Sequence, residues 1–170
     1  MGSSGLKESI NVRSSRYWIA RTTGECDLCR AETRLVALAL PPNHLSLELD
    51  WDIEADEFAA YNWETVEWSA FLFYVEYLPE RVRRRLQAVS KGYRFAFSER
   101  TLGSYWANHC AACGALMEDH DLFCEPDGAF LPTTAVSAAA ITLERVNEAL
   151  EAGAAGYACD PEFLDSMVAS

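Results

Sequence analysis

The residues best suited to chemistry are six cysteines, four of which form two Cys-x-x-Cys pairs. The pairs are Cys26 with Cys29 and Cys110 with Cys113. Two intervening residues allow both thiolates of a pair to face one tetrahedral ion, with backbone amides of the turn directed at the sulfurs. Gly114, directly after the second pair, permits the positive φ that closes such a turn. The spacing predicts that these four cysteines bind one Zn²⁺ ion.

A site of four thiolates is expected to be structural, because a filled tetrahedral shell leaves no position for a reactive water. The alternative is a redox dithiol, which requires a Cys-x-x-Cys at the N-terminus of a helix that follows a strand. Haem attachment is excluded, because Arg30 and Gly114 stand where that motif has histidine. We expect no catalytic residues and no enzyme activity. Cys124 and Cys159 are expected to be small buried hydrophobic residues.

Segments with β character flank both pairs, so each pair is predicted to lie at the tip of a hairpin. Residues 17–21 precede the first pair and residues 34–38 follow it. Residues 104–106 precede the second pair, and residues 122–123 follow it after a short loop. A hairpin with Cys-x-x-Cys at its tip is a zinc knuckle, and two knuckles that share one ion form a zinc ribbon.

The sequence resembles the zinc-ribbon class over residues 17–40 and 102–124. Residues 105–114, with residues 126–130 beyond them, are also similar to uncharacterised bacterial zinc-ribbon proteins. This resemblance implies no particular activity. An ordinary ribbon has about 15–20 residues between its pairs, whereas residues 30–109 intervene here. A long insertion is compatible with tetrahedral binding, because loop-closure entropy grows slowly with loop length.

The elements around the pairs predict an α+β fold: a split zinc ribbon with an inserted α+β subdomain and C-terminal helices. Residues 45–51 and 93–97 alternate like strands, and Pro79 begins a predicted helix that ends near residue 90. The aromatic-rich residues 58–77 fit a helix or a strand. The C-terminal expectations are a helix over 143–152 with Thr142 as its N-cap, a loop over 154–158 and a short helix from Asp160.

These elements predict a flexible N-terminus over residues 1–16 and a single zinc-stabilised domain over 17–170. Within that domain, residues 41–101 are predicted to be an insertion between the knuckles. The apolar runs are too short to span a bilayer, and residues 1–15 lack a signal peptide's apolar segment. We therefore expect a cytoplasmic protein with no membrane contact.

The net charge is −12, and residues 35–80 carry ten acidic residues and no lysine or arginine. Such a surface repels phosphate, so we expect no nucleic-acid binding. The short acidic run 118–121 is expected to be a solvated loop. The acidic block that we expect to face a basic protein partner consists of Asp50, Asp52, Glu54, Asp56 and Glu57.

Three functions remain open from the sequence. The first is a non-catalytic, zinc-stabilised protein–protein interaction module, whose excess aromatic residues leave an apolar patch for a partner. The second is an acidic inhibitor or immunity-type protein that neutralises a basic, nucleic-acid-acting partner. The third is a dithiol redox protein. The sequence does not determine the oligomeric state.

Overall fold

The computed structural model describes residues 10–52, 57–158 and 166–169. These residues form eleven strands and three short helices. In chain order they are β1 (Val12–Ser14), β2 (Tyr17–Glu25), β3 (Glu32–Leu40), β4 (His44–Asp52), β5 (Glu57–Val66), β6 (Ala70–Tyr77), α1 (Glu80–Val89), β7 (Arg94–Ser98), β8 (Gly103–Ala107), α2 (Asp119–Phe123), α3 (Ala135–Ala138), β9 (Thr142–Val146), β10 (Leu150–Ala158) and β11 (Val168–Ala169).

The strands form one continuous sheet. Its main path runs β11-β9-β2-β3-β6-β10-β1-β4-β5, and the β7–β8 hairpin joins through the pairing of β8 with β6. The described pairings are antiparallel except that of β11 with β9. Strands β2 and β3 are paired from Trp18↔Ala39 to Glu25↔Glu32. This long hairpin carries the first cysteine pair at its tip.

Each face of the sheet has its own hydrophobic core, and β3 contributes to both. Val36, Leu38 and Leu40 pack with Val82 and Leu86 of α1 on one face. Their neighbours Leu35, Ala37 and Ala39 pack on the other face against residues of α2 and α3. Because successive side chains of a strand point to opposite faces, a strand buried on both sides is a continuous apolar run. This explains why residues 35–40 contain no polar position.

The β-rich architecture corrects the predicted α+β fold with C-terminal helices. Residues 143–152 form β9, a turn and the start of β10 rather than a helix. The helix prediction used the spacing of Leu143, Val146 and Leu150, which suits one helix face. Leu143 instead packs in the core beside α2 and α3, whereas Val146 and Leu150 pack in the core beside α1. Apolar residues buried on opposite faces of the sheet therefore had the same sequence spacing as one face of a helix.

Two further C-terminal assignments were wrong. Residues 154–158 belong to β10 and are not a loop, and Gly156 is needed there because an added Cβ would lie 2.3 Å from the ring of Phe73. Residues 122–123 belong to α2 rather than to a strand. The predicted helix from Asp160 lies largely outside the described residues, and Val168–Ala169 form β11.

The predictions for the middle of the chain are confirmed. Helix α1 begins after Pro79 and buries Val82 and Leu86. The strands predicted over 45–51 and 93–97 are β4 and β7. The ambiguous segment 58–77 consists of β5 and β6, separated by a turn at residues 67–69.

The division of the chain into a flexible segment 1–16 and a domain with an inserted subdomain stays a prediction. β1 lies in the first of these segments, and β6 lies in the predicted insertion. Both are strands of the common sheet. No helix within residues 10–52, 57–158 and 166–169 is long and apolar enough to cross a membrane.

Candidate metal centre

Four sulfur atoms from the two cysteine pairs converge on one point. Cys26 Sγ lies 3.7 Å from Cys113 Sγ, and Cys29 Sγ lies 3.6 Å from Cys110 Sγ. All four sulfurs lie within 4.8 Å of one another. A tetrahedral ion with Zn–S bonds of about 2.3 Å separates its sulfurs by about 3.8 Å, whereas a disulfide would bring two sulfurs to about 2.05 Å. The separations therefore match a four-thiolate metal centre and not a disulfide.

The first knuckle, Cys26–Ala31, is the tip of the β2–β3 hairpin. The backbone N–H of Cys26 donates to the carbonyl oxygen of Ala31 over 2.9 Å. The N–H of Arg30 donates to the carbonyl oxygen of Cys26 over 2.8 Å. Arg30 has a φ of 65°, which turns the chain back after the second cysteine. These bonds leave Cys26 buried and Cys29 exposed at the tip.

The second knuckle, Cys110–Ala115, repeats this backbone with equivalent bonds. The N–H of Cys110 donates to Ala115, and the N–H of Gly114 donates to Cys110, over 2.8 and 2.9 Å. Gly114 has a φ of 74°, as its position after the second cysteine predicted. Cys110 is buried and Cys113 is exposed. The two knuckles thus present one inner and one outer sulfur each to a shared centre.

Two buried polar side chains join the second knuckle to the first hairpin. Asn108, which is 1% exposed, accepts a hydrogen bond from the N–H of Val36 over 3.0 Å and donates one to its carbonyl oxygen over 2.9 Å. Thr33 Oγ1 accepts a hydrogen bond from the N–H of Ala111 over 2.7 Å. Asn108 therefore pairs with β3 much as a neighbouring strand would. Sequence reasoning missed both residues, and the only signal was a polar residue close to each cysteine pair.

The surroundings shift the pKa values of two of the thiols in opposite directions. The hydrogen bond from the backbone N–H of Cys113 is the largest contribution that lowers the pKa of Cys110, to about 6. The N–H of Ala31 lowers the pKa of Cys29, but the neighbouring sulfurs and partial desolvation outweigh this effect and raise the pKa to about 12. Four close thiols cannot all ionise beside one another without a compensating cation. A divalent ion supplies that compensation, since metal ligation deprotonates a thiol.

Three residues of the predicted acidic block, Asp50, Asp52 and Glu57, lie where β4 ends and β5 begins. Backbone pairing places Asp50 opposite Ala60 and Asp52 opposite Glu57, with a register shift between Asp50 and Trp51. Glu54 and Asp56 lie outside the described residues. The role of the five acidic residues in binding a partner stays a prediction.

The short acidic run near the second knuckle is not the solvated loop that the sequence predicted. Asp119 is 2% exposed and accepts a hydrogen bond over 2.7 Å from the N–H of Tyr74, which has a φ of 50°. His120, Asp121 and Glu125 lie close enough to hold an ion. The Arg100 guanidinium lies 2.7 Å from Asp121 and 3.2 Å from His120, so a cation already occupies this cluster.

Among the described residues, Cys124 does not belong to the cluster of four cysteines. Cys124 is exposed, which corrects its expected burial. Cys159 lies outside the described residues.

No known protein family, curated protein or solved structure matches this chain. The function must therefore be argued from the geometry of the chain itself.

Proposed function

We propose that the chain is a non-catalytic protein-binding module whose sheet is held together by one structural Zn²⁺ ion. The convergence of four cysteine sulfurs from two distant knuckles carries the proposal. Thiolate sulfur in a tetrahedral arrangement favours zinc over calcium or magnesium, which prefer oxygen ligands. Cys26, Cys29, Cys110 and Cys113 would fill the shell, so the ion would supply crosslinking rather than activation of a water.

The placement of the two pairs weighs against a dithiol redox function. Each pair lies in a turn between extended segments. Reactive Cys-x-x-Cys dithiols use a helix N-terminus to stabilise the attacking thiolate. In each knuckle one sulfur is buried beneath the turn, which suits a metal ligand better than a nucleophile that must meet a partner disulfide.

A surface suited to protein binding lies on the β7–β8 hairpin. Phe95 and Phe97 are 51% and 58% exposed, although aromatic residues of this kind are usually covered. Among the described strands, β7 pairs only with β8, so it is an edge of the sheet. Soluble proteins normally protect such edges with charged residues or proline. An exposed aromatic edge strand therefore supports a surface that a protein partner covers.

Elemental analysis of the purified protein, combined with substitution, tests the zinc assignment. We expect one zinc per chain in the unmodified protein and in the Cys124→Ser control, and loss of zinc in Cys110→Ser. Equal zinc content in all three proteins, or no metal in carefully purified protein, would contradict the assignment.

Binding through the aromatic edge needs its own test. A double Phe95→Ser, Phe97→Ser variant is expected to lose a partner that the unmodified protein captures from its native cell. Val136→Ser is the matched control, because Val136 is 84% exposed but lies on α3. Retention of the partner by the double variant would place binding elsewhere.

A second candidate function is neutralisation of a basic, nucleic-acid-acting partner. Asp52 on β4 pairs with Glu57 on β5, and Asp50 also lies on β4. This gathering of acidic residues at one end of the hairpin supports the second candidate function. Opposite charges mainly accelerate association. Changing Asp52, Glu54, Asp56 and Glu57 to their amides should therefore slow association more than it speeds dissociation. Unchanged kinetics would reduce the acidic block to a source of solubility.

A further inference from the structure

A cleft lies beside the metal centre and shares the second knuckle with the proposed function. The cleft has a volume of about 670 Å³ and lies between the end of α1, β3, β7 and the second knuckle. Its cationic side chains are Arg34, Lys91 and Arg94, and it contains no aspartate or glutamate, although Cys110 of the metal centre also lines it. The volume falls within the range of about 300–1,000 Å³ that small-molecule sites occupy.

The concentration of positive charge is unusual for this chain. The protein has 26 acidic residues against 14 basic ones. Seven arginines elsewhere form ion pairs with carboxylates: Arg13, Arg21, Arg30, Arg81, Arg84, Arg85 and Arg100. Arg34, Lys91 and Arg94 make no ion pair with any residue in the described ranges. Three cations without carboxylate partners thus share one cleft in an acidic protein.

Hydrogen bonds between different elements hold the walls of the cleft together. Arg94 Nη2 donates to the carbonyl oxygen of Gly114 over 3.1 Å, so the second knuckle orients this guanidinium. Ser90 Oγ donates to the carbonyl oxygen of Arg34 over 3.2 Å. His109 Nδ1 lies 3.0 Å from the carbonyl oxygen of Gly92. A Cβ added to Gly92 would lie 2.5 Å from a backbone oxygen of His109. The cleft is therefore formed before any ligand binds.

The geometry points to a binding site for a small molecule that carries phosphate or carboxylate groups. A guanidinium offers a planar pair of donors that matches either group, and an ammonium adds a compact charge. No phenylalanine, tyrosine or tryptophan lines the cleft, and the imidazole of His109 is only 4% exposed. It therefore lacks the stacking platforms with which proteins hold nucleic-acid bases. The cleft shares β7 with the proposed protein-binding surface through Arg94, but neither Phe95 nor Phe97 lines it.

Titration of the ¹⁵N-labelled full-length protein with inorganic phosphate, and separately with succinate, tests the site by NMR. We expect saturable shifts of the Lys91, Gly92 and Gly114 amide signals with at least one of these probes. The probe that saturates identifies the phosphate or the carboxylate as the preferred group. Signals that shift linearly with both probes, or that shift equally across the whole surface, would overturn the assignment.

Substitutions distinguish anion binding in the cleft from nonspecific attraction to positive charge elsewhere on the protein. Arg34→Gln and Arg94→Gln are each expected to weaken binding at least about tenfold, since each variant loses a charge-assisted hydrogen bond to the anion. Arg145→Gln on β9 removes the same charge elsewhere and should change the dissociation constant less than twofold. Lys91→Gln tests the cleft without touching the knuckle if Arg94→Gln loses zinc. Equal weakening by Arg145→Gln, or tighter binding of an oligonucleotide than of phosphate, would overturn the assignment.

Discussion

The two knuckles have the same backbone, but different residues and different supports produce it. After its second cysteine, the second knuckle has Gly114 with a φ of 74°, whereas the first has Arg30 with a φ of 65°. Glycine adopts this conformation freely, while a residue with a Cβ is disfavoured by about 1–2 kcal/mol. Arg30 makes an exposed ion pair with Glu25 over 3.1 Å, which offsets little of that energy. The turn that brings both sulfurs of a pair to one centre is therefore kept even where its residue is unfavourable.

The two knuckles differ in whether the residues that support them are near or distant in sequence. The first knuckle closes a hairpin of two nine-residue strands that are paired along their length. The second follows a five-residue strand, and only the isolated bridge between His109 and Leu116 flanks it. Its position depends on Asn108 and on Thr33, which is distant in sequence. The first knuckle is thus a local structure, and the second requires the rest of the fold.

The largest expected effect is loss of the metal, and it should be equal for the two knuckles. Cys26→Ser and Cys110→Ser each remove a buried ligand, and we expect each to lower the free energy of unfolding by about 4 kcal/mol or more. Chemical denaturation, with zinc content measured in parallel, checks this prediction. If Cys26→Ser is much milder than Cys110→Ser, the ion is held mainly by the second knuckle.

Replacement of Asn108 should destabilise only the second knuckle. Asn108→Ala leaves both the N–H and the carbonyl of Val36 without this partner, at a cost of about 2–4 kcal/mol. Hydrogen exchange should then rise at residues 110–115 more than at 26–31. Asn147→Ala, at an exposed asparagine, is the matched control and should change stability by less than about 0.5 kcal/mol. Equal exchange in both knuckles would show that they open together.

The stability of the folded protein should depend on pH through Asp119, which follows the second knuckle in the chain. Burial raises the pKa of Asp119 to about 7, although the N–H of Tyr74 opposes the shift. The folded state then binds a proton that the unfolded state releases above about pH 4. The contribution of Asp119 to stability is therefore full below pH 4, falls by a few kcal/mol as the pH rises to about 7, and is constant above that.

Comparison with Asp119→Asn isolates this contribution from those of other acids. The asparagine can still accept the hydrogen bond from Tyr74 but does not titrate in this range. We expect the variant to match the unmodified protein at pH 4 and to exceed its stability at pH 8, as measured by urea denaturation. A difference that grows towards low pH would reverse the sign and contradict the prediction.

The smallest effects should have opposite signs in the two knuckles. Gly114→Ala places a Cβ on a residue with positive φ and should destabilise the protein by about 1 kcal/mol. Arg30→Gly relieves the same strain and should stabilise the protein by up to about 1 kcal/mol. The loss of the exposed ion pair with Glu25 subtracts a little from this gain. Thermal unfolding of the zinc-bound variants measures both. Destabilisation by Arg30→Gly would mean that its contacts outweigh the backbone strain.

Much of the chain up to the second cysteine pair could be predicted because its signals are local. The cysteine spacing identified the four residues whose sulfurs converge, and the spacing alone carried that prediction across the intervening residues 30–109. Pro79 marked the start of α1, and period-2 alternation marked β4 and β7. The tip of the β2–β3 hairpin needed only its own residues, because the strands on either side pair with each other.

The C-terminal half was decided by tertiary structure. Leu143 and Val146 have helical spacing, yet one sheet buries them on opposite faces, and no local pattern distinguishes that arrangement from a helix. The roles of Asn108 and Asp119 depend on β3 and β6, which are distant in sequence. The sequence by itself identified the four cysteines whose sulfurs converge and the turns that present them, because these follow from short-range chemistry. Only the tertiary structure decided which strands bring them together, because pairing in a sheet joins residues that are distant in sequence.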